Sequence, residues 1–279
     1  MSTAPRGKAG APGFVLVSRV AELIVGLAAV VPLYLLGKQA LSPELESFAW
    51  PPIWLPRHLT VEHFRSVFAV TELRSAVLRS VFVAGASAAI ATVLGAMLAY
   101  SMARSRLGRR VAMGAVTAVR LLPMIAVAIP LALGLIVIGL YDSASGLGLA
   151  VVHAALALPT TALTTYSSFL AVPVELEEAA WLDGASALRV FAAVDLPLAR
   201  TGLAAAFVLS FILSWDEFGY ALLIQVTNRT LPPLLYYYTV FGDVGAASAL
   251  ALLMMVPAVC VVIALRPMLR GALMAGSLR

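Results

Sequence analysis

The sequence predicts an all-α polytopic membrane protein with six transmembrane helices. Three observations carry that expectation. Of 279 residues, 62% are hydrophobic and 12% charged, and mean hydropathy is +0.98; soluble domains run nearer about 45–50% apolar and about 25% charged. Apolar runs recur along the whole chain at the length of about 20 residues that a helix needs to cross the hydrocarbon core. Lys and Arg collect at the ends of those runs, as the positive-inside rule requires. The same clustering ties the net charge of +5 to orientation in a bilayer rather than to nucleic acid. Composition excludes a soluble enzyme, and six spans leave no room for a sizeable extramembrane domain. Cys260 is the one cysteine, so no disulfide or cysteine cluster for a metal can form within the chain.

The elements follow in order. Residues 1–13 are polar and rich in Gly, Ala and Pro, and read as a disordered cytoplasmic N-terminus. Arg6, Lys8 and Arg19 flank the first span, residues 20–37. It is too long for a signal-peptide core and has no clear small-residue cleavage site, so it stays uncleaved. The six-span body covers residues 14–270. Residues 38–75 form an extracytoplasmic loop, where Pro51, Pro52 and Pro56 break any helix and Trp50 and Trp54 suit a membrane–water interface. Leu59 to Phe64 reads as a short amphipathic segment. The second span, residues 77–103, is rich in Gly and Ala, which let helix backbones approach closely. Arg104, Arg106, Arg109 and Arg110 then mark the cytoplasm. The third span, residues 111–140, contains Arg120, Pro123 and Pro130. Residues 141–146 are a short outside turn. The fourth span, residues 147–170, is interrupted by Pro159. A cytoplasmic loop at 171–200 leads to the fifth span, residues 201–224, with Trp215-Asp216-Glu217 inside it. Residues 225–245 form an outside loop bearing Tyr236, Tyr237 and Tyr238, which read as an interface belt rather than a sugar-stacking platform. The sixth span, residues 246–265, leads past Arg266 and Arg270 to a cytoplasmic tail at 271–279. Both termini are therefore cytoplasmic.

The loop at 171–200 departs from the rest. Inside loops lean positive, whereas this one carries Glu175, Glu177, Glu178, Asp183 and Asp195. Pro173 suits the first turn of a helix, and carboxylates there favour the positive end of its dipole. Ala179 and Ala180 are strong helix formers, and Gly184 can end the helix. The local expectation is helix, turn, second short helix, then membrane. A polar helix of this kind reads as a docking element for something in water.

These residues also carry a resemblance. Glu178-Ala179-Ala180, three residues, Gly184, nine residues, then Val194-Asp195-Leu196-Pro197 is similar to the cytoplasmic motif of permease subunits of binding-protein-dependent ABC importers. Val194 stands where isoleucine is commoner. Asp183-Gly184-Ala185 is the variant typical of carbohydrate uptake, and the chain resembles a MalG-type sugar permease from end to end. The resemblance implies a type I ABC importer permease fold in a bacterial inner or plasma membrane. It implies a coupling helix in which Glu178, Ala179, Ala180, Asp183, Gly184, Leu196 and Pro197 meet the ATPase. Import of a mono-, di- or oligosaccharide follows by alternating access, with glycerol-3-phosphate, a polyol or an amino sugar as the alternative. Implied partners are a second permease subunit, two ATP-binding subunits and an extracytoplasmic solute-binding protein or lipoprotein. The chain has no phosphate-binding loop motif, so it is a transport subunit rather than an enzyme and needs no cofactor of its own. ATP and Mg belong to the partner.

Within the membrane, Arg120, Asp216 and Glu217 are the costly residues; such charges face a bundle interior or water. Adjacent on one helix, Asp216 and Glu217 point about 100° apart and cannot share a partner. Arg120, Trp215, Asp216 and Glu217 are candidates for the solute pathway, and an ion pair of Arg120 with Asp216 or Glu217 is the competing reading. Pro123, Pro130 and Pro159 read as packing kinks, the Thr and Ser residues of the fourth span as satisfied helix hydroxyls, and His153 and Cys260 as packed residues. An intramembrane enzyme would need a catalytic cluster such as His-Glu-x-x-His, which the chain lacks. A channel would leave the acidic docking helix without a purpose.

Overall fold

A computed structural model describes residues 12–276, with side chains over 18–263 apart from 120, 125 and 262. The expectations for residues 1–11 and 277–279 lie outside the described residues. All regular structure among the described residues is helical. Five helices are long and apolar enough to cross a membrane: Ser18–Leu41, Thr71–Arg104, Leu147–Leu170, Ala187–Trp215 and Val244–Val261. The first and last belong to longer helices, Pro12–Leu41 and Val244–Gly276.

The remaining crossing, third in chain order, is a broken helix. Arg106–Leu121 ends before Pro123, and the apolar Met124–Val137 follows it. A residue preceding proline is pushed out of helical geometry, and Leu122 is extended at ψ 128°. Pro123 therefore divides the segment instead of kinking it. Pro159 does not interrupt the fourth span: Leu147–Leu170 runs through it as one helix.

The core is built on the second span. Its buried face is Ala84, Ala88, Ala91, Gly95, Ala96 and Ala99, set against Ala150, Ala154, Ala157, Thr161 and Ala162 of the fourth. Helices in lipid gain little from hydrophobicity between them, so close backbone packing through small residues holds them. A Cβ on Gly95 would lie 2.7 Å from Thr161 Cγ2 and 3.2 Å from the Ala162 nitrogen. The fifth span completes this group through a hydrogen bond between Thr161 and Ser210 at 2.7 Å. Thr161, Thr164 and Thr165 also bond back to carbonyls one turn earlier, so the fourth-span hydroxyls are satisfied as expected.

The first span is exposed along nearly its whole length and packs on the last, while Cys260 is exposed rather than packed. Two segments between the spans are more ordered than loops. The amphipathic expectation is realised as the helix Glu62–Ala69, which buries Val67. Residues 225–245 contain the helix Leu231–Val240, which carries the three tyrosines.

Replacing Gly95 by Leu forces the second and fourth spans apart. A loss of about 1–3 kcal/mol is expected for such overpacking, read as a lowered thermal midpoint of the purified protein, whereas Gly85→Leu, which faces open space, leaves it unchanged.

Candidate functional site

The loop between the fourth and fifth spans folds as helix, turn, short helix, as its residues predict. Val174–Leu182 ends at Asp183, and Gly184 takes φ +82°. The Ala185 N–H donates to the Ala180 carbonyl at 3.0 Å and the Gly184 N–H to the Trp181 carbonyl at 2.9 Å. This is the paired closure that a left-handed glycine makes possible at a helix end. Ala187–Val190 follows, then a five-residue π turn, Phe191–Asp195, and Leu196–Trp215. The π turn was not legible in the sequence.

The motif residues separate by environment. Glu178, Ala179, Asp183 and Gly184 are exposed, together with Trp181 and Leu188; Leu182 is 90% exposed. Ala180 is half-buried beside a shallow groove shared with Asp183, Ala185, Arg189 and Val194. Leu196 packs among Tyr100, Phe169 and Phe191, and Pro197 sits in the first turn of the fifth span. Carboxylates beside exposed Trp and Leu form an uncovered amphipathic surface, and such patches mark contact sites.

Glu177 behaves differently from its neighbours. It and Asp195 are 0% exposed. Arg104, at the end of the second span, donates from Nε to Glu177 Oε1 at 2.5 Å and from Nη2 to the Val172 carbonyl at 3.3 Å, and its Nη2 lies 3.6 Å from Asp195 Oδ1. Arg104 therefore ties the docking element to the core, a role its place in an arginine-rich loop did not reveal.

Within the membrane the fifth span stops at Trp215, not at 224. Asp216 and Glu217 lie in the break before the short helix Gly219–Ile224. Glu217 stands at the start of that helix, accepting the N–H groups of Tyr220 at 2.9 Å and Ala221 at 3.0 Å. It also meets His153 Nε2 at 3.0 Å, and His153 Nδ1 meets Ser214 Oγ at 2.7 Å. A neutral imidazole satisfies both by donating from Nε2 and accepting at Nδ1. His153, read from sequence as a packed residue, is thus the partner of Glu217. Both line a cavity of about 220 Å³ with Thr160, Ser214, Leu156 and Leu213. Asp216 turns away into a different recess, beside Leu235, Ala251 and Met254. Trp215 is buried, stacks on Phe211 and donates its indole N–H to the Met254 carbonyl at 3.1 Å. It joins the fifth span to the last. The Arg120 side chain, and the ion pair expected of it, lie outside the described residues.

On the opposite end of the molecule a second arginine of the second span gathers loops. Arg79 donates to the carbonyls of Ala144 and Arg229 and to Asn228 Oδ1. Asp142, at φ 47°, accepts the Asn228 N–H at 2.9 Å and the Thr227 N–H at 3.1 Å, as well as the Thr227 hydroxyl. Burial raises the Asp142 carboxyl, but the bonds from Thr227 and Asn228 outweigh it and hold the group below its ordinary value. Arg229 in turn pairs with Glu72 at 2.8 Å and lies over the Tyr237 ring at 4.7 Å.

An exposed acidic helix between two spans, on a chain of long apolar helices with polar clips at both ends, marks a multi-pass membrane protein. Residues 91–270 match the model of the binding-protein-dependent transport system inner membrane component, and the chain belongs to that family. It is 37% identical to a putative ABC transporter permease of Streptomyces antibioticus over 71% of this chain and 90% of that one. It is 31% identical to the trehalose transport system permease SugB of Mycobacterium tuberculosis, covering 81% and 84% of the two chains. A third relative is the diacetylchitobiose uptake permease DasC of Streptomyces coelicolor, 28% identical over 93% and 95%. Among solved structures, a bacterial ABC transporter for import of the acidic polysaccharide alginate superimposes with a TM-score of 0.72 at 20% identity, over 96% of this chain and 99% of that one. The fold is accordingly that of an ABC importer permease, and no group of metal-binding side chains occurs among the described residues.

The Asp142 clip has a pH signature. A carboxyl held below its free value stabilises above the free value and loses that contribution as pH falls through the lowered one. Amide protection at Thr227 and Asn228, followed by hydrogen exchange, should therefore persist at neutral pH and decline in acid below about pH 4. Asp142→Asn should lower protection at neutral pH and remove the dependence.

Proposed function

We propose that this chain is one of two permease subunits of an importer that carries a carbohydrate across the bacterial inner or plasma membrane by alternating access. The observation that carries this reading is the docking element. It presents Glu178, Trp181, Leu182 and Leu188 outward from a rigid turn at Gly184. Such a surface suits one of two separate ATP-binding subunits, which together would supply ATP, Mg and hydrolysis and shift the spans through residues 174–197. This orientation puts both termini and the docking loop in the cytoplasm. The outside clips face the opposite compartment, where a solute-binding protein would deliver its cargo to the loops at 38–75 and 225–245. The exposed first span offers a face for lipid or for the second permease subunit.

The substrate class follows from two supports. Relatives are named for trehalose and diacetylchitobiose uptake. The cavity beside Glu217 presents imidazole, hydroxyl and carboxylate groups, which hydrogen-bond sugar hydroxyls, whereas a carboxylate repels a phosphorylated solute. Of the pathway candidates, Glu217 and Asp216 open into recesses, and His153 joins them; Trp215 serves to position the break that holds both acids.

The complex, purified through a tag on this chain and reconstituted with its binding protein, should hydrolyse ATP faster with a neutral sugar such as trehalose or diacetylchitobiose than with glycerol-3-phosphate. Stimulation by glycerol-3-phosphate alone would overturn the substrate class. Glu178→Lys and Gly184→Pro should each abolish uptake while the subunit still inserts; normal uptake in both would refute the docking role. His153→Ala, which removes the ring that orients Glu217 at the cavity, should raise the KM for the stimulating sugar by about tenfold, the equivalent of about 1.4 kcal/mol.

A further inference from the structure

Two carboxyl groups and one guanidinium meet where the docking loop joins the core. Glu177 and Asp195 are both fully buried, and Arg104 is the cation facing them. Arg104 occupies Glu177 Oε1. Among the described residues, no donor makes a hydrogen bond to Glu177 Oε2 or to either oxygen of Asp195. Buried carboxylate oxygens without donors are strongly unfavourable, and two such charges against a single arginine leave one negative charge uncompensated. Both side chains converge on the same Arg104 Nη2, which pairs with Glu177 Oε1 and lies 3.6 Å from Asp195 Oδ1, and two carboxylates brought together there cannot bond each other until one carries a proton. One proton settles the charge and supplies the missing donor.

We propose that a single proton, shared by Glu177 and Asp195 and clamped by Arg104, latches the docking loop to the second span. The three groups come from three elements. Glu177 is on the docking helix, Asp195 in the π turn, and Arg104 at the end of the second span with Tyr100 one turn before it. Beside them the Val172 carbonyl holds Arg104 and the Phe169 ring packs on Tyr100. The latch thus closes a ring of contacts through both ends of the loop. Loss of the proton sets two like charges together inside that ring and loosens the base of the docking helix. An acidified compartment tightens the loop and an alkaline one frees it. The latch is a property of this chain; its bearing on transport rests on the docking role proposed above.

The sign follows from linkage. A carboxyl whose value is raised in the closed loop binds its proton more tightly there than in the open one. The stabilisation is complete below the free value, about pH 4, declines as pH rises, and levels off once the shared proton has left the closed loop.

Hydrogen exchange of the amides in residues 174–197 tests this on the whole complex in nanodiscs, corrected for intrinsic rates and without solute or nucleotide. Wild-type protection should fall as pH rises above about 5, by up to about tenfold per pH unit as one proton is lost. Asp195→Asn and Glu177→Gln, each neutral at one position, should show protection that no longer varies with pH. A wild-type slope retained in both variants would overturn the latch. Should both variants lose protection at every pH, the wild-type profile decides, and a flat profile there overturns it. The readout involves no ATP hydrolysis, so failure of the docking role, seen in the Glu178→Lys assay, is distinguishable from failure of the latch.

Discussion

The close approach of the second and fourth spans is the contact on which the rest of the structure depends. Lipid offers helices little hydrophobic reason to associate, so the pair is held by backbone proximity through Ala84, Ala88, Ala91, Gly95 and Ala99. That helix is long enough to reach past the hydrocarbon on both sides. Arg79 and Arg104 lie about 38 Å apart along it at 1.5 Å per residue, and each collects the loops at its own end. A wider spacing between the two spans would pull both arginines off their partners at once.

The two ends are satisfied differently. At the outer end, Asp142 receives donors from Thr227 and Asn228, and Arg79 donates to two carbonyls and an amide. Carboxylate and guanidinium both find partners there. At the inner end acceptors outnumber donors, because Glu177 and Asp195 share one arginine. The docking loop therefore hangs from the less completely satisfied of the two clusters.

Breaks in the helices serve the polar residues between these ends. A membrane tolerates interrupted backbone only where it is buried in protein or lines a cavity. The gap after Trp215 meets that condition: Glu217 receives the free N–H groups of Gly219–Ile224 and bonds to His153. The same break turns Asp216 and Glu217 to opposite recesses. Pro123 breaks the third crossing, and its two pieces leave the second, fourth and fifth spans as the packed core.

The sequence by itself determined the helical membrane fold, the order and approximate position of the crossings, the docking motif and its glycine turn. Those are local signals: apolar run length, arginine clusters, and residue types at fixed short spacing. Tertiary structure decided which charges meet. Arg104 and Glu177 are 73 residues apart, and His153 and Glu217 are 64 apart. No periodicity links such positions, so Arg104 read only as an orientation signal, Glu177 as an exposed helix-start carboxylate and His153 as packing. The interruption expected at Pro159 fell instead at Pro123, because both lack an N–H and only the surrounding packing determines if the freed backbone is satisfied. Burial is what turned Glu177 from one acid among several in the docking stretch into its anchor, and burial depends on how the spans assemble.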